Sequence, residues 1–198
     1  MTEAPRDTCL RGNSIILYGP IGQGKTTTAL RIAERIRLGG GKVAGILSLR
    51  TPREGSMPSY DALDLATGRT FPLVQPSGIA QGDDWETYGN PVFSFSKNGF
   101  REANSVLINA SGKLKESTTV FVDEYGRLES RGLGIYAGFN AVVNSLSNGG
   151  LAFFLCRGDK LGEVSSILEG KGVNVLTVEV VDFETVWAKI ETILHGNL

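Results

Sequence analysis

Histidine and cysteine are almost missing from this chain, which has one histidine and two cysteines in 198 residues. His195 stands near the C-terminus, which argues against histidine catalysis and against a histidine-ligated metal. Cys9 and Cys156 are too few and too far apart for a disulfide framework. Cys156 lies in an apolar strand-like run, so we expect a buried and inert thiol there.

An excess of either charge is also missing, since 20 Lys and Arg stand against 21 Asp and Glu, a net charge of −1. No Lys/Arg cluster indicates a nucleic-acid surface, so no nucleic-acid partner is expected. No apolar run reaches membrane-spanning length, and residues 1–8 do not form an apolar signal region. These absences predict a cytoplasmic protein without a membrane partner. The length and the 41% apolar content are typical of one globular domain.

The sequence does contain a complete phosphate-binding loop. An apolar run at 14–18 precedes this loop and a helical pattern at 27–36 follows it, which is the expected strand–loop–helix context. Successive backbone N–H groups of such a loop surround a phosphate, and Lys25 reaches the β- and γ-phosphates. The Thr26 hydroxyl is expected to ligate Mg²⁺. The pattern G-x-x-x-x-G-K-[ST] is matched by Gly19, Pro20, Ile21, Gly22, Gln23, Gly24, Lys25 and Thr26, with Thr27 next in the chain. The sequence therefore predicts binding of a nucleoside triphosphate, whether ATP, GTP or another.

Apolar strands alternate with amphipathic helices along the chain, which predicts a three-layer α/β fold with a mostly parallel sheet. We expect a single P-loop domain over residues 1–198, with a β-hairpin inserted at about 59–75. Pro72 marks the second strand of that hairpin as an edge strand. Further strands are predicted at 43–49, 92–95, 118–124, 151–156 and 173–181, and helices at 29–36, 100–114, 135–146, 161–168 and 183–194.

The second half of the site is sought where strands end, because ligands of open α/β sheets lie at the carboxyl ends of the strands. One buried strand ends in Asp123, which is expected to hold Mg²⁺ together with Thr26. Glu124 follows directly and is the candidate general base that activates a water molecule, the alternative being a solvated acid. Glu129, a few residues later, is interpreted most simply as part of a solvated loop.

Four other residues carry two interpretations each. Arg157 ends the strand next to the Asp123 strand, where it either stabilises charge on the γ-phosphate or is a surface residue of a turn. Arg50, at the start of a predicted loop, has the same two interpretations. Trp85 and Tyr88 lie in the irregular segment 76–90, where their rings either stack on a nucleotide base or attach the loop to the core.

The chain resembles the THEP-type, or cancer-related, family of small P-loop nucleoside-triphosphatases. Four segments carry this resemblance: 19–28, 42–50, the hairpin 60–70 and Val122–Glu129. The last resembles the family's Asp-Glu-Ile-Gly-x-Met-Glu block, with Tyr125 and Leu128 in place of the usual aliphatic residue and Met. The resemblance implies a RecA-like core with an added hairpin. It also implies slow, Mg²⁺-dependent hydrolysis of nucleoside triphosphates to diphosphates with loose base selectivity.

Two other functions use the same loop. A nucleotide or small-molecule kinase needs an acceptor pocket and an arginine-bearing lid, for which 50–59 and 76–90 are the candidate segments. A nucleotide-binding switch protein instead binds the triphosphate and signals through loop order, with negligible turnover. Hydrolysis is the leading hypothesis, because an acid directly after the predicted metal ligand serves water as the acceptor. No Asn/Thr-Lys-x-Asp sequence for reading guanine occurs, so weak base discrimination is expected.

Overall fold

Strands and helices alternate as predicted and form one sheet with helices on both faces. The computed structural model describes residues 12–53, 57–88, 92–114 and 118–197, with the backbone alone for 195–197. The strands are β1 (Asn13–Tyr18), β2 (Lys42–Thr51), β3 (Ser59–Asp64), β4 (Thr70–Pro76), β5 (Trp85–Glu86), β6 (Phe93–Ser96), β7 (Thr118–Tyr125), β8 (Leu151–Cys156) and β9 (Asn174–Glu179). The α-helices are α1 (Lys25–Leu38), α2 (Lys97–Ser111), α3 (Tyr136–Leu146), α4 (Leu161–Gly170) and α5 (Phe183–Asn197). No helix in these ranges is long and apolar enough to cross a membrane.

The sheet is parallel in one half and antiparallel in the other, with the strand order β5-β6-β4-β3-β2-β7-β8-β1-β9. Strands β2, β7, β8, β1 and β9 run parallel to their neighbours within this group. Their residues are largely apolar and buried, as expected when helices cover both faces of a parallel sheet. The carboxyl ends of these strands lie along the same side of the sheet, and β8 separates β1 from β7. Segments that follow β1, β8, β7 and β2 therefore come together on that carboxyl-terminal side of the sheet.

Two apolar cores, one on each face of the sheet, account for the three layers. On one face, α2, α3 and α4 pack against the sheet around Phe139 and Phe154, whose ring centroids are 5.5 Å apart. On the other face, α1 and α5 cover Phe121 and Phe153, which stack at 4.8 Å. Each helix turns its apolar stripe to the sheet, so the helical spacing of apolar residues in the sequence correctly located the helices.

The antiparallel half begins with the predicted hairpin of β3 and β4, but it is larger than the sequence indicated. Strand β6 pairs with β4 at Val74–Pro76, and β5 pairs with β6. The expectation that β4 is an edge strand is therefore wrong. Pro72 is tolerated because β6 pairs only with the later residues of β4, so the N–H that proline lacks is not needed for that pairing. Helix α2 begins close by, where a Cβ on Gly99 would stand 1.9 Å from the Pro72 carbonyl oxygen.

Strand β2 is longer than predicted, and this changes the position of Arg50. Antiparallel pairing with β3 extends β2 to Thr51 and sets Arg50 opposite Tyr60. The expectation that Arg50 begins a loop is wrong, because a non-local strand pairing continues the extended backbone through it. The loop itself covers 52–58, of which 54–56 lie outside the described residues.

The cysteine expectations have separate outcomes. Cys156 is a buried free thiol, as predicted. Burial raises its pKa to about 12, which keeps the thiol protonated and unreactive. Cys9 and the side chain of His195 lie outside the described residues.

Candidate active site

The phosphate-binding loop joins the carboxyl end of β1 to the first turn of α1. Gly22 and Gly24 both have left-handed backbones, with φ of 82° and 83°. A Cβ at either position would meet no atom within 4 Å, so glycine is required there by conformation and not by packing. Helix α1 has no side-chain cap at Gly24. The first-turn N–H groups are therefore left for a ligand, as in phosphate-binding helix N-termini.

Lys25 lies along the loop that it follows. Its Nζ donates to the carbonyl oxygens of Gly19 at 3.0 Å and of Pro20 at 2.8 Å. The same charge lowers the pKa values of Asp123 and Glu124, although it is not the largest effect on either. The ammonium group is thus held at the loop and also acts on the two acids near the carboxyl end of β7.

Asp123 receives hydrogen bonds from three segments, and this fixes its carboxylate. The Thr26 Oγ1 donates to Oδ2 at 2.8 Å, the Ser48 N–H donates to Oδ2 at 3.0 Å, and the Glu124 N–H donates to Oδ1 at 2.8 Å. The side chain is 4% exposed. Burial raises the pKa of Asp123, while the three donors and Lys25 lower it. The structure therefore brings the two predicted metal ligands, Thr26 and Asp123, into direct contact.

Glu124 occupies an unusual backbone position next to that carboxylate. Among the described residues it is the one non-glycine residue with positive φ, at 76°. The register between β7 and β8 also shifts between Val122 and Tyr125, as in a β-bulge. Backbone strain of this kind is common at functional sites. The pKa of Glu124 is raised to about 7. The largest cause is the partial loss of hydration next to the surrounding protein, and the second is the negative charge of Asp123. The Glu124 side chain nevertheless remains exposed to solvent.

The other predicted residues have structural partners of their own. Arg157 follows β8, between the segments after β1 and β7, and its guanidinium donates to Asp159 at 2.9 and 3.1 Å. Tyr88 donates its hydroxyl to Glu86 at 2.6 Å, and its ring centroid is 5.6 Å from that of Phe95. Trp85 is part of β5. The aromatic residues thus attach this segment to β6, in agreement with the second of their two interpretations.

Glu129 was misjudged from the sequence. It is 3% exposed, and its Oε2 accepts from the Gly126 N–H at 2.9 Å while Oε1 accepts from the Ile135 N–H at 3.0 Å. The loop closes tightly on it, because a Cβ on Gly134 would stand 2.1 Å from Oε1. The expectation of a solvated residue is therefore wrong. The glycines around it were the available signal, since glycine is used where the backbone must come close to another group.

We predict that Glu129→Ala destabilises the protein by roughly 2–4 kcal/mol, because it leaves two N–H groups at the ends of a closed loop without their acceptor. Denaturant unfolding measures this difference. Arg131→Ala is the matched control, since Arg131 is exposed on the same loop, and a change of no more than about 0.5 kcal/mol is expected there. Equal stabilities of the two variants would contradict this role for Glu129.

Ser48 is the other residue at this site that sequence reasoning missed. It stands near the carboxyl end of β2 and is 4% exposed. In the run 43–49 it is the one hydroxyl-bearing residue among apolar residues and a glycine. That polar interruption was a signal, but its meaning depends on the pairing of β2 with β7, which the sequence does not display.

A phosphate-binding loop after β1 and an acidic pair near the carboxyl end of β7, in the parallel half of a sheet covered by helices, define a P-loop nucleoside-triphosphate-binding protein. The chain belongs to the NTPase family, whose sequence pattern matches residues 14–190. This confirms the resemblance found in the sequence, and nucleoside-triphosphate hydrolysis is the activity of this family.

Two solved structures share the fold. The solution structure of a human cancer-related nucleoside triphosphatase superposes with a TM-score of 0.64 at 24% identity, covering 93% of this chain and 98% of that one. The crystal structure of THEP1 from the hyperthermophile Aquifex aeolicus gives a TM-score of 0.61 at 18% identity, covering 93% and 96%. No curated protein matches the chain. The likenesses confirm the predicted α/β P-loop fold.

Proposed function

We propose that this protein hydrolyses nucleoside triphosphates to diphosphate and phosphate in a Mg²⁺-dependent reaction with loose base selectivity. The observation that carries the proposal is the 2.8 Å contact between Thr26 Oγ1 and Asp123 Oδ2, with Glu124 next in the chain. Family membership supports the hydrolase class. The metal, the base selectivity and the residue roles are our proposals.

The residues fit Mg²⁺ by their chemistry. A hydroxyl oxygen and a carboxylate oxygen in contact are hard ligands, and Mg²⁺ usually takes one or two such protein groups together with substrate phosphates and water. In the described ranges no group of three or more His, Cys, Asp or Glu side chains could form a metal cage. Thr26 and Asp123 would therefore hold the ion as a partial set. Bound there, Mg²⁺ would neutralise charge on the phosphates.

The reaction assigns one task to each group. Loop N–H groups and Lys25 bind the phosphates, and Lys25 exchanges the carbonyls of Gly19 and Pro20 for phosphate oxygens. Glu124 accepts a proton from water as the water oxygen forms a bond to the γ-phosphorus. The bond from that phosphorus to the bridging oxygen breaks, and the diphosphate leaves with that oxygen. Arg157 would stabilise the developing charge after it releases Asp159.

The alternatives lose part of their support. The kinase hypothesis needed an arginine-bearing lid in 50–59, but Arg50 belongs to β2. Arg53, at the end of the described part of that loop, donates its Nε to the Ser59 hydroxyl at 2.8 Å. The segment with Trp85 and Tyr88 is attached to β6, which gives both aromatic residues a structural role. We therefore keep the proposal that water is the acceptor of the phosphoryl group and that selectivity for the nucleotide base is weak.

The test is phosphate release from ATP, GTP, CTP and UTP with Mg²⁺ and no acceptor. We expect slow release from all four, with rates within about tenfold of each other, since one tenfold step corresponds to only ~1.4 kcal/mol. Chelation of the metal should abolish release. Phosphate transfer that appears only on an added small-molecule acceptor would replace the hydrolase with a kinase. Tight binding without release would indicate a switch.

We also propose that residues 1–198 form a single P-loop domain that works in the cytoplasm without a nucleic-acid or membrane partner. The near balance of acidic and basic residues and the two cysteines support this proposal. Measurements of its location in the cell and of its retention on nucleic acid are the direct tests.

A further inference from the structure

Ser48 lies on the side of the sheet that carries the candidate active site. It lies on β2, which pairs with β7. Its backbone N–H donates to Asp123 Oδ2 at 3.0 Å, across a sequence separation of 75 residues. The backbone of Ser48 therefore already serves the site, and any residue except proline would supply that N–H. The question is what its hydroxyl does.

The hydroxyl of Ser48 is buried without a partner. In the described part of the chain, two buried side-chain polar atoms have no partner within hydrogen-bonding distance, Gln23 Oε1 and Ser48 Oγ. Gln23 is in the phosphate-binding loop and Ser48 is beside Asp123, so both belong to the same site. Buried polar atoms are nearly always paired with protein or water, and each exception needs an explanation.

Glu124, directly after Asp123 in the chain, is the functional group that explains the unpartnered hydroxyl. The pairing of β2 with β7 sets Ile46 opposite Val122, so Ser48, two residues further along β2, lies beside Asp123 and Glu124. The Ser48 hydroxyl also favours the charged form of the Glu124 carboxylate and so lowers its pKa. It is nevertheless not in direct hydrogen-bonding contact with any group. Two polar groups that are close but not bonded are commonly bridged by one water molecule.

We propose that the Ser48 hydroxyl and the Glu124 carboxylate together hold the water molecule that attacks the γ-phosphate. Ser48 donates its O–H to the water oxygen, and the water donates one of its protons to Glu124. One lone pair of that oxygen then remains free to attack phosphorus, and Glu124 receives the proton as the bond forms. This inference rests on the proposed hydrolysis and adds the residue that orients its nucleophile.

The variant Ser48→Ala tests the role, because it removes the hydroxyl and keeps the N–H that binds Asp123. We expect kcat to fall about tenfold, the scale of one lost hydrogen bond. KM and the Kd of a non-hydrolysable triphosphate should not change. The unfolding midpoint should stay equal or rise, since a buried hydroxyl without a partner is removed. Ser48→Thr keeps the hydroxyl and should restore kcat.

Ser14→Ala is the matched control. Ser14 is also a buried strand serine, on β1, and its Oγ donates to the Asn174 carbonyl at 3.0 Å. This variant should lower the unfolding midpoint and leave kcat unchanged, the reverse of Ser48→Ala. An unchanged kcat in Ser48→Ala, or a folded Ser48→Thr as slow as Ser48→Ala, would overturn the role of Ser48 but not the proposed hydrolysis. A parent protein that releases no phosphate would overturn the proposed function before any variant is compared.

Discussion

Glu124→Gln should lower kcat for phosphate release about 10²-fold or more while the protein still binds its triphosphate. The amide is nearly the same size as the carboxylate but cannot accept a proton, and losses of 10²–10⁴ are typical when a general base is removed. Folding should be little affected, because the side chain is exposed and the residue's positive φ is equally open to Gln. Steady-state kinetics gives kcat, and calorimetric titration with a non-hydrolysable triphosphate gives binding.

Asp123→Asn is the contrasting variant, since it makes the same carboxylate-to-amide change in the neighbouring residue. It should weaken Mg²⁺-dependent binding of the triphosphate, because one metal ligand loses its charge. The pair of variants thus separates metal binding from proton transfer. If Glu124→Gln hydrolyses triphosphate at the parent rate, Glu124 is not the base, and Arg157 becomes the next residue to test.

The part of the site that was predicted from the sequence is the part encoded by local order. The loop from Gly19 to Thr26 is recognised because strand, turn and helix follow one another within a few residues. The two acids near the end of β7 are recognised because they directly follow an apolar run. The carboxyl-end rule for parallel sheets then brought Thr26 and Asp123 together, and the structure confirms their contact.

The part that was missed depends on contacts between distant segments. The role of Ser48 depends on a bond to Asp123 75 residues away. The burial of Glu129 depends on the closing of its loop from Gly126 to Ile135. The true edge strand on this side, β5, is joined to the sheet through β6, which pairs with β4 only after an irregular segment. Local periodicity does not carry this information, because strand neighbours are chosen by the whole fold.

Lys25→Ala should weaken triphosphate binding roughly 100-fold or more, a loss of about 3 kcal/mol in binding free energy. The ammonium is the one side-chain charge that the loop itself provides for the phosphates, and charge-assisted bonds to phosphate are among the strongest in proteins. The hydrogen bonds described for its Nζ go to backbone oxygens of the loop, at Gly19 and Pro20. Its removal should therefore change the stability by no more than about 0.5 kcal/mol.

Lys42→Ala is the control for this change in charge. Lys42 is exposed at the first residue of β2, at the sheet edge opposite the phosphate-binding loop, so its loss should leave binding unchanged. Titration of both variants with a non-hydrolysable triphosphate, beside denaturant unfolding, compares them directly. Unchanged affinity in a folded Lys25→Ala protein would show that the triphosphate binds elsewhere. In that case the roles proposed for Thr26, Asp123 and Glu124 would fall together, because all three are defined by a phosphate held in this loop.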